Sequence, residues 1–466
     1  MIAYELEDVD LVTRGRRYLQ SLAGRRVTVV GMARSGVAAA HLLHGAGTFV
    51  TATDDKPLHA LGPETEALVA LGVRWSSASA AFDDAELVVI SPGVPVDAPA
   101  LVSVRARGVQ VIGELELGWR AMEAATIAIT GTNGKTTTTS LTAALLAEQP
   151  RPVLVGGNIG TPLSGPAAGF PADGIVVAEV SSFQLETIES FQPRVAAVLN
   201  VTPDHLDRHY TFENYLDAKA RIFLNQTAAD CAVLNADDPG AAGLATRTQA
   251  HVVWFSRHRR LDHGIFVADG WVRAKLNGHV DDICPVSEIR LRGAHNVENV
   301  LAATACALWM GIPFDAVRRG VGRFQAVEHR IEFVRDIRGV QFFNDSKGTN
   351  VASTVKALES FPERVVLIAG GKGKGQEWAP LAAAARDRVV HAVIIGEDGP
   401  KIAHALEAVG IPTTGAPTMH AAIEAARAKA GPGDVVLLSP ACASFDMFDN
   451  YEHRGEVFKR LVEELA

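Results

Sequence analysis

The sequence predicts an α/β protein of three domains with mostly parallel sheets. The chain has 466 residues, 48% hydrophobic and 21% charged, which provides apolar material for several cores and fits two to four domains of about 100–200 residues each. Short apolar strands alternate with helical stretches, a pattern typical of parallel sheets joined by crossover helices. We expect the domains to cover residues 1–114, 115–326 and 327–466.

The overall charge and the cysteines exclude several classes of protein. The net charge of −9 argues against nucleic acid or an anionic membrane as a main partner. The four cysteines form no C-x-x-C pair, which favours reduced thiols over a disulfide scaffold or a zinc site. The stretch "MIAYELEDVD" lacks the blocks of a signal peptide, and the longest apolar run, 300–314, is too short to span a membrane. We therefore expect a cytoplasmic monomer, with 300–314 as a buried helix.

The first segment is predicted to form a parallel sheet with a turn that resembles those of nucleotide-binding proteins. Its predicted strands are "RRVTVVG" (25–31), "FVTATDD" (49–55) and "AELVVISPG" (85–93). The turn "GMARSG" (31–36), followed by Asp54, resembles a dinucleotide fingerprint but lacks the middle glycine of G-x-G-x-x-G. An NAD(P)-dependent oxidoreductase therefore stays an alternative.

The central segment opens on an incomplete phosphate-binding loop. In "AITGTNGKTTTT" (128–139) the pattern G-x-x-x-x-G-K-S/T has Ile129 in place of its first glycine. An apolar strand precedes the loop and a helix follows it, an arrangement that aims N–H groups at phosphate. The candidate phosphate-binding residues are Gly131, Thr132, Asn133, Gly134, Lys135, Thr136 and Thr137. We expect Lys135 to neutralise phosphate and the first threonine hydroxyls to act at the helix start, because β-branched residues are unfavourable inside helices. The alternative is a capped helix without a ligand.

Candidate metal ligands follow the next strands. Strands are predicted at 174–182, 195–202 and 230–238, and Glu179 lies at the end of "VVAEV" in the first of them. Glu179 is a candidate Mg²⁺ ligand, with a solvated strand end as the alternative. The loop "NVTPDHLDRH" (200–209) holds two Asp and two His. Its spacing matches no strong zinc pattern, so a Mg²⁺ site with one His contributing is favoured.

The third segment repeats the α/β pattern. The predicted strands are "VQFFNDS" (340–346), "RVVLIAGG" (364–371), "HAVIIGE" (391–397) and "DVVLLSPAC" (434–442). Each ends in a polar or Gly-rich stretch. Ligands bind at the carboxyl ends of the strands in such sheets.

Motifs from residue 31 to residue 455 together resemble the Mur ligases, ATP-dependent amide-forming enzymes of peptidoglycan precursor synthesis. They occur in family order and include "GTNGKT", "VGGNIGTPL" (155–163), "YLDAKARIF" (215–223), "GAHNVENVLAA" (293–303), "EHRIE" (328–332), "FNDSKGTN" (343–350) and "GGKGKG" (370–375). Folylpolyglutamate synthases share the loop type. "SSFQLET" and "SPACASFDMFDNYEHRG" (439–455) look most like the members that add D-glutamate to UDP-N-acetylmuramoyl-L-alanine, and no D-N-P-R motif of the diaminopimelate-adding members occurs.

The resemblance implies a Rossmann-like N-terminal domain for the UDP moiety, a P-loop-type central ATPase domain and a Rossmann-like C-terminal domain that closes over ATP and binds glutamate. The implied reaction passes through an acyl phosphate and a tetrahedral intermediate, and serves cell-wall synthesis, cell shape and cell division. Thr136 and Glu179 would hold one Mg²⁺, and His205 would share a second with a carbamylated Lys219. Without the resemblance, Lys219 reads as a surface helix lysine paired with Glu213 or Asp217.

The resemblance also implies three sets of binding residues. The further ATP contacts would be Asn296, His329, Arg330, Asp345 and Lys347. The glutamate contacts would be Thr349, Lys374, Ser444 and the main-chain N–H of Tyr451, where the family leads us to expect Phe. The UDP-substrate contacts would be Arg34, Ser35, Asp54, Asp55, Ser91, Pro92, Gly93 and Asn158.

Several alternatives stay open at this point. The chain could be another Mur-type ligase or a folylpolyglutamate synthase, or a non-catalytic nucleotide-binding regulator, although Lys135, Glu179, His205 and Lys219 are all present. Because the implied ATP contacts lie on two domains, we expect the C-terminal domain to swing in when ATP binds.

Overall fold

A computed structural model describes the chain as two compact units. The described residues are 11–77, 80–276, 278–325, 327–373 and 375–465. The first unit comprises Met1–Val286 and Asn299–Val321, and the second comprises Ser287–Glu298 and Gly322–Ala466. The first unit holds two sheets and the second holds one.

The first sheet is entirely parallel. Its strands are β1 (Arg26–Val30), β2 (Phe49–Thr53), β3 (Arg74–Trp75), β4 (Leu87–Ile90) and β5 (Gln110–Gly113). Around it lie α1 (Leu11–Leu22), α2 (Arg34–Gly45), α3 (Pro63–Ala70), α4 (Pro99–Ala106) and α5 (Glu114–Ala121). The order β3-β2-β1-β4-β5 reverses direction between β1 and β4, and such a switch opens a crevice at the carboxyl ends of the strands.

The second sheet has nine strands in the order β14-β13-β12-β11-β10-β9-β6-β8-β7. They are β6 (Ala125–Thr130), β7 (Val153–Gly157), β8 (Ile175–Glu179), β9 (Val195–Val198), β10 (Cys231–Asn235), β11 (His251–Ser256), β12 (Gly264–Ala268), β13 (Trp271–Lys275) and β14 (Asp281–Pro285). All pairs from β7 to β12 are parallel, and β13 and β14 add an antiparallel edge. The associated helices are α6 (Lys135–Leu146), α7 (Ser182–Leu185), α8 (Leu206–His209), α9 (Phe212–Ala220), α10 (Pro239–Gly243), α11 (Ala294–Trp309) and α12 (Phe314–Arg323).

The third sheet has the order β15-β16-β20-β17-β18-β19, in which only β15 runs antiparallel to its neighbour. Its strands are β15 (Glu332–Ile337), β16 (Val340–Asn344), β17 (Val365–Gly370), β18 (Val389–Ile395), β19 (Thr413–Gly415) and β20 (Val435–Leu438). The helices are α13 (Val351–Glu359), α14 (Ala379–Ala385), α15 (Gly399–Glu407), α16 (Met419–Lys429) and α17 (Tyr451–Glu463).

The structure confirms the predicted fold class and each predicted strand. Of the run 300–314, predicted to be one buried helix, only 300–309 belong to α11, and 300–307 are buried. The helix ends before Gly311, which has φ +84°, and Pro313 follows, a combination that terminates helices. Across the described ranges no helix combines the length and apolar character needed to cross a membrane.

Candidate active site

The loop between β6 and α6 has the strand–loop–helix form predicted for phosphate binding. Gly131 and Gly134 have φ of +152° and +86°, which glycine adopts readily. A Cβ on Gly134 would also collide with the side-chain amide oxygen of Asn299. Lys135 begins α6, and its Nζ donates to the carbonyl oxygens of Gly131 (2.8 Å) and Thr132 (2.9 Å). The lysine thus folds over the loop at the helix N-terminus, which favours anions.

The threonine run does put hydroxyls to use at the helix start. Thr136 Oγ1 donates to Glu179 Oε2 at 2.8 Å, and Thr138 Oγ1 donates to Asn299 Oδ1 at 3.2 Å. Asn299 is 5% exposed and contacts the loop, yet the sequence reasoning did not select it. Its signal was present in "HNVEN", where a second asparagine follows Asn296 by one helical turn.

Glu179 is a buried carboxylate rather than a solvated strand end. It closes β8 beside β6 and is 1% exposed, so the alternative interpretation is wrong. Its Oε1 accepts from Asn158 Nδ2 at 2.8 Å, while Oε2 faces the Thr136 hydroxyl. A carboxylate and a hydroxyl at the mouth of a phosphate-binding loop suit Mg²⁺, which prefers oxygen ligands and completes its shell with phosphate and water.

Within the part of the chain that the structure describes, no metal site made of side chains alone accompanies this pair. Among the described residues, no group of three or more His, Cys, Asp or Glu side chains is placed to hold an ion. A zinc site in the loop 200–209 therefore gains no structural support. A cation at Glu179 would take its remaining ligands from a bound phosphate, water or a modified residue.

Lys219 is buried against the phosphate-binding loop. It is 1% exposed, and its Nζ donates to Gly131 O (3.0 Å) and Thr130 Oγ1 (3.4 Å). Burial, and then the nearby Lys135, lower the pKa of the Lys219 amine well below its usual value. Asp217 instead pairs with Arg247 at 2.5 Å. The interpretation of Lys219 as a surface lysine is therefore wrong.

His205 begins the turn that leads into α8. It has φ +52°, and its N–H donates to Asp204 Oδ1 at 2.9 Å. The ring packs edge-on against Phe183, with centroids 4.9 Å apart, and its side chain is 32% exposed. The imidazole thus stays partly accessible to a ligand.

All eight residues predicted to contact the UDP substrate line one cavity of about 540 Å³ in the first unit: Arg34, Ser35, Asp54, Asp55, Ser91, Pro92, Gly93 and Asn158. The cavity opens at the carboxyl ends of β1, β2 and β4, where the strand order reverses. Ser91 Oγ donates to Gly31 O at 2.6 Å, and a Cβ on Gly36 would collide with that same carbonyl. This close approach explains the final glycine of "GMARSG", and the first, Gly31, has φ +85°, which glycine adopts readily.

Asp54 already has partners at the rim of this cavity. Its Oδ2 accepts from Met32 N (2.6 Å) and its Oδ1 from Lys56 N (2.9 Å). The carboxylate therefore fixes the turn after β1, in addition to any contact with a ligand. α2 begins at Arg34 on the cavity wall, which suits an anionic diphosphate.

In the second unit, Asp345 follows β16 and is 1% exposed. It accepts from Ser439 Oγ (2.7 Å) and Ile331 N (3.3 Å), and Arg330 Nη1 lies 3.9 Å from Oδ1. Burial raises the pKa of Asp345 to about 6, with Arg330 acting against that rise. Lys347, two residues on, donates from Nζ to Tyr451 Oη at 3.2 Å.

His329 lies beside this group with its ring tightly enclosed. Its Nδ1 is 2.9 Å from Asn344 Nδ2, which can only donate, so the ring proton is assigned to Nε2. Burial lowers the pKa of His329. A Cβ on Gly455 would collide with the imidazole, and the ring centroid lies 6.2 Å from that of Tyr451.

The remaining predicted residues of the second unit lie on different elements and differ in burial. Tyr451 is the first residue of α17, Ser444 is buried, and Thr349 N–H donates to Lys347 O at 2.8 Å. Asn296 lies in the first turn of α11, where its amide donates to Arg292 O at 2.6 Å. Lys374 lies outside the described residues.

Comparisons with known proteins agree along almost the whole chain. Three family models match: "Mur ligase MurD-like, N-terminal domain" over 25–113, "Mur ligase middle domain" over 129–307 and "Mur ligase, glutamate ligase domain" over 329–442. A UDP-N-acetylmuramoylalanine–D-glutamate ligase from Acidobacterium capsulatum is 48% identical, covering 95% of this chain and 96% of the relative. The enzyme of that name from Koribacter versatilis is 46% identical, covering 95% and 98%.

Solved structures show the same fold at low identity. MurF from Acinetobacter baumannii aligns with a TM-score of 0.63 at 18% identity, over 96% of this chain and 98% of that one. The UDP-N-acetylmuramate–alanine ligase MurC from Thermotoga maritima aligns with a TM-score of 0.60 at 19% identity, over 94% and 99%. Taken with the full-length relatives, these matches establish that the chain belongs to the Mur ligase family.

Proposed function

We propose that this protein is an ATP-dependent ligase that adds D-glutamate to UDP-N-acetylmuramoyl-L-alanine in peptidoglycan precursor synthesis, releasing ADP and phosphate. The observation that carries the proposal is the 48% identity, over 95% of the chain, to a UDP-N-acetylmuramoylalanine–D-glutamate ligase. We further propose that it acts as a cytoplasmic monomer with domains at 1–114, 115–326 and 327–466.

The physical obstacle in this reaction is the approach of a carboxylate to an anionic triphosphate. Lys135 and the N–H groups of Gly131–Gly134 would bind the phosphates, with Lys135 exchanging its two carbonyl acceptors for phosphate oxygens. Thr136 and Glu179 would hold one Mg²⁺, which neutralises phosphate charge when bound. Fixed charges and dipoles of this kind stabilise a transition state without reorganising when the reaction occurs.

Lys219 would serve as a carbamate rather than as a cation. A neutral amine attacks CO₂ through its nitrogen lone pair, forms a C–N bond and releases one proton, which leaves an anionic oxygen ligand. The lowered pKa of Lys219 supports this step, because only the neutral amine has the lone pair. The carbamate and His205 would share a second Mg²⁺.

The cavity of the first unit would hold the nucleotide part of the substrate. Arg34 and Ser35 at the start of α2 would bind the diphosphate, and Asp54 and Asp55 would meet the uracil edge. The segment 91–93 would form the wall. Asn158 would contact the sugar diphosphate, and its bond to Glu179 links this cavity to the proposed metal ligand.

The second unit would supply the remaining contacts. Asp345 would bind the ribose, with the adenine and phosphates near Asn296, His329, Arg330 and Lys347. The α-carboxylate of glutamate would meet Thr349 and Lys374. Its side-chain carboxylate would meet Ser444 and the main-chain N–H of Tyr451, since first-turn N–H groups of a helix point outward and attract anions.

The test is phosphate release from ATP with UDP-N-acetylmuramoyl-L-alanine and, in parallel, D-glutamate, L-glutamate, L-alanine, L-lysine or meso-diaminopimelate. We expect release only with D-glutamate. Release with a different amino acid would keep the ligase mechanism and overturn the substrate assignment. A complete lack of release with every amino acid would overturn the proposal.

A further inference from the structure

A buried Ser–His–Glu cluster, Ser182, His209 and Glu186, lies beside the proposed metal ligands and has no part in the mechanism above. His209 is 4% exposed. Its Nε2 is 2.9 Å from Ser182 Oγ, and its Nδ1 is 3.5 Å from Glu186 Oε1. The carboxylate beside Nδ1 favours a proton on that nitrogen, and in this tautomer Nε2 accepts from the Ser182 hydroxyl. Two partners therefore fix one orientation of the imidazole.

Glu186 is itself held in place. Its Oε2 accepts from Arg208 Nη2 at 2.7 Å, and the same nitrogen donates to Val94 O at 3.1 Å. Val94 lines the cavity assigned to the nucleotide part of the substrate. The cluster is thus anchored to the wall of that cavity.

The oriented imidazole packs between two aromatic rings. Phe183 stacks on it with centroids 5.5 Å apart, and Tyr215 lies at 5.3 Å. Phe183 also packs against His205 at 4.9 Å, and Lys219 Nζ lies 4.6 Å from the Tyr215 ring. Each ring therefore touches one of the two residues proposed to share the second cation.

The cluster is unsuited to nucleophilic catalysis despite its residue types. Ser182 is 3% exposed and His209 is similarly enclosed, so a substrate carbonyl cannot reach the serine hydroxyl in this arrangement. Simple core packing would account for the aromatic contacts but does not require a buried imidazole with a defined tautomer.

We propose that His209 is a positioning residue for a divalent cation. Through its contacts with Phe183 and Tyr215, it would hold the side chains of His205 and Lys219 where both can bind the cation. The inference rests on the proposed function, because that function assigns the cation to His205 and Lys219. Groups one layer out from metal ligands commonly set ligand orientation and hence cation affinity.

The test compares His209→Phe with His209→Gln. Phenylalanine keeps a ring between Phe183 and Tyr215 but loses the hydrogen bond to Ser182 and the polar contact with Glu186. Glutamine can keep a donor for Glu186 and an acceptor for Ser182. The readout is Mn²⁺ binding followed by electron paramagnetic resonance, with a non-hydrolysable ATP analogue present and without turnover. We expect Mn²⁺ affinity to fall about tenfold in His209→Phe and about threefold in Ser182→Ala. His209→Gln should stay within about threefold of wild type.

Binding of UDP-N-acetylmuramoyl-L-alanine without metal serves as the folding check, and His420→Gln, at an exposed helical position, is the matched control. Unchanged Mn²⁺ affinity in both His209→Phe and Ser182→Ala would overturn the inference. Equal losses of Mn²⁺ and nucleotide-sugar binding would do so too, since they indicate general disruption. Failure of the proposed function would instead appear as a lack of D-glutamate-dependent phosphate release by the wild-type protein.

Discussion

Lys219 in the first unit and Asp345 in the second are both 1% exposed, but the charged groups around them have opposite effects on ionisation. No carboxylate within the described ranges accepts a hydrogen bond from Lys219, whose acceptors are a carbonyl and a hydroxyl oxygen. Asp345 receives a hydroxyl and an N–H donor, and the positive charges of Arg330 and Arg454 act on it. Desolvation favours the neutral form of both groups.

The two residues differ in how neighbouring charges change the pKa shift that burial causes. At Lys219 the largest influence after burial, that of Lys135, also favours the neutral amine, while Asp204 and Glu179 act against it. At Asp345 the arginines favour the anion and limit the pKa to about 6. Burial and Lys135 thus shift the Lys219 amine towards its neutral form, while Asp345, with a pKa of about 6, is largely ionised at neutral pH. Burial alone does not decide the role of an ionisable group.

The largest expected effect is that of Lys135→Ala. Loss of the ammonium removes the charge that meets the phosphates, so we expect phosphate release to fall at least about a thousandfold. UDP-N-acetylmuramoyl-L-alanine binding, measured by calorimetry, should be unchanged because Lys135 does not line that cavity. Retained turnover in this variant would rule out the assigned role.

Replacing Lys219 removes the buried amine of the first unit and tests its role. Lys219→Met keeps the buried volume without an amine, so we expect activity to fall about a hundredfold through loss of the ligand. In CO₂-free buffer, where Lys219 is an unmodified amine, thermal stability should rise in the variant, because the unfolded state no longer gains from protonating a lysine that folding neutralises. Calorimetry on both proteins checks this, and a lower melting temperature would contradict the neutral-amine assignment.

Asp345→Asn removes the buried carboxylate of the second unit and tests its role. We expect KM for ATP to rise about tenfold, while the free energy of unfolding at neutral pH rises by up to about 3 kcal/mol, since a pKa raised from 3.8 to about 6 is a cost of that size. The sign follows from proton linkage: this penalty is absent below pH 3.8 and complete above about pH 6. The stability difference between variant and wild type should therefore shrink in acid.

Tyr451→Phe should have the smallest effect. It removes the hydroxyl that bonds Lys347 at 3.2 Å but keeps the main-chain N–H proposed to bind glutamate. We expect KM for ATP to rise about two- to threefold, as for one modest hydrogen bond, with KM for D-glutamate unchanged. Steady-state kinetics with each substrate varied in turn measures the two KM values separately. A rise confined to KM for D-glutamate would contradict the role assigned to the Tyr451 hydroxyl.

Local sequence signals predicted a large part of the fold and the cavity. Strands flanked by glycine, the loop 131–134 and the turn 31–36 are patterns whose geometry follows from nearby residues. The hairpin joining β12 to β13 was missed although its signal was present: Asp269 and Gly270 both have positive φ, as a two-residue D-G turn requires.

The chemistry of buried groups was less accessible to sequence reasoning. "LDAKAR" reads as an exposed helix face, and only the packing of α9 against the phosphate-binding loop buries Lys219. Asn299 and His209 likewise acquire their partners from segments far away in the chain. Contacts of this kind depend on tertiary packing, which no local pattern encodes.

The most direct test of the account is carbon-13 NMR of the protein in labelled bicarbonate at neutral pH, with Lys219→Met as the control. A neutral, buried Lys219 predicts a protein-bound carbamate resonance in the wild type that is absent from the variant. A wild-type protein that is fully active and shows no such resonance would contradict the claim that Lys219 acts as a carbamate.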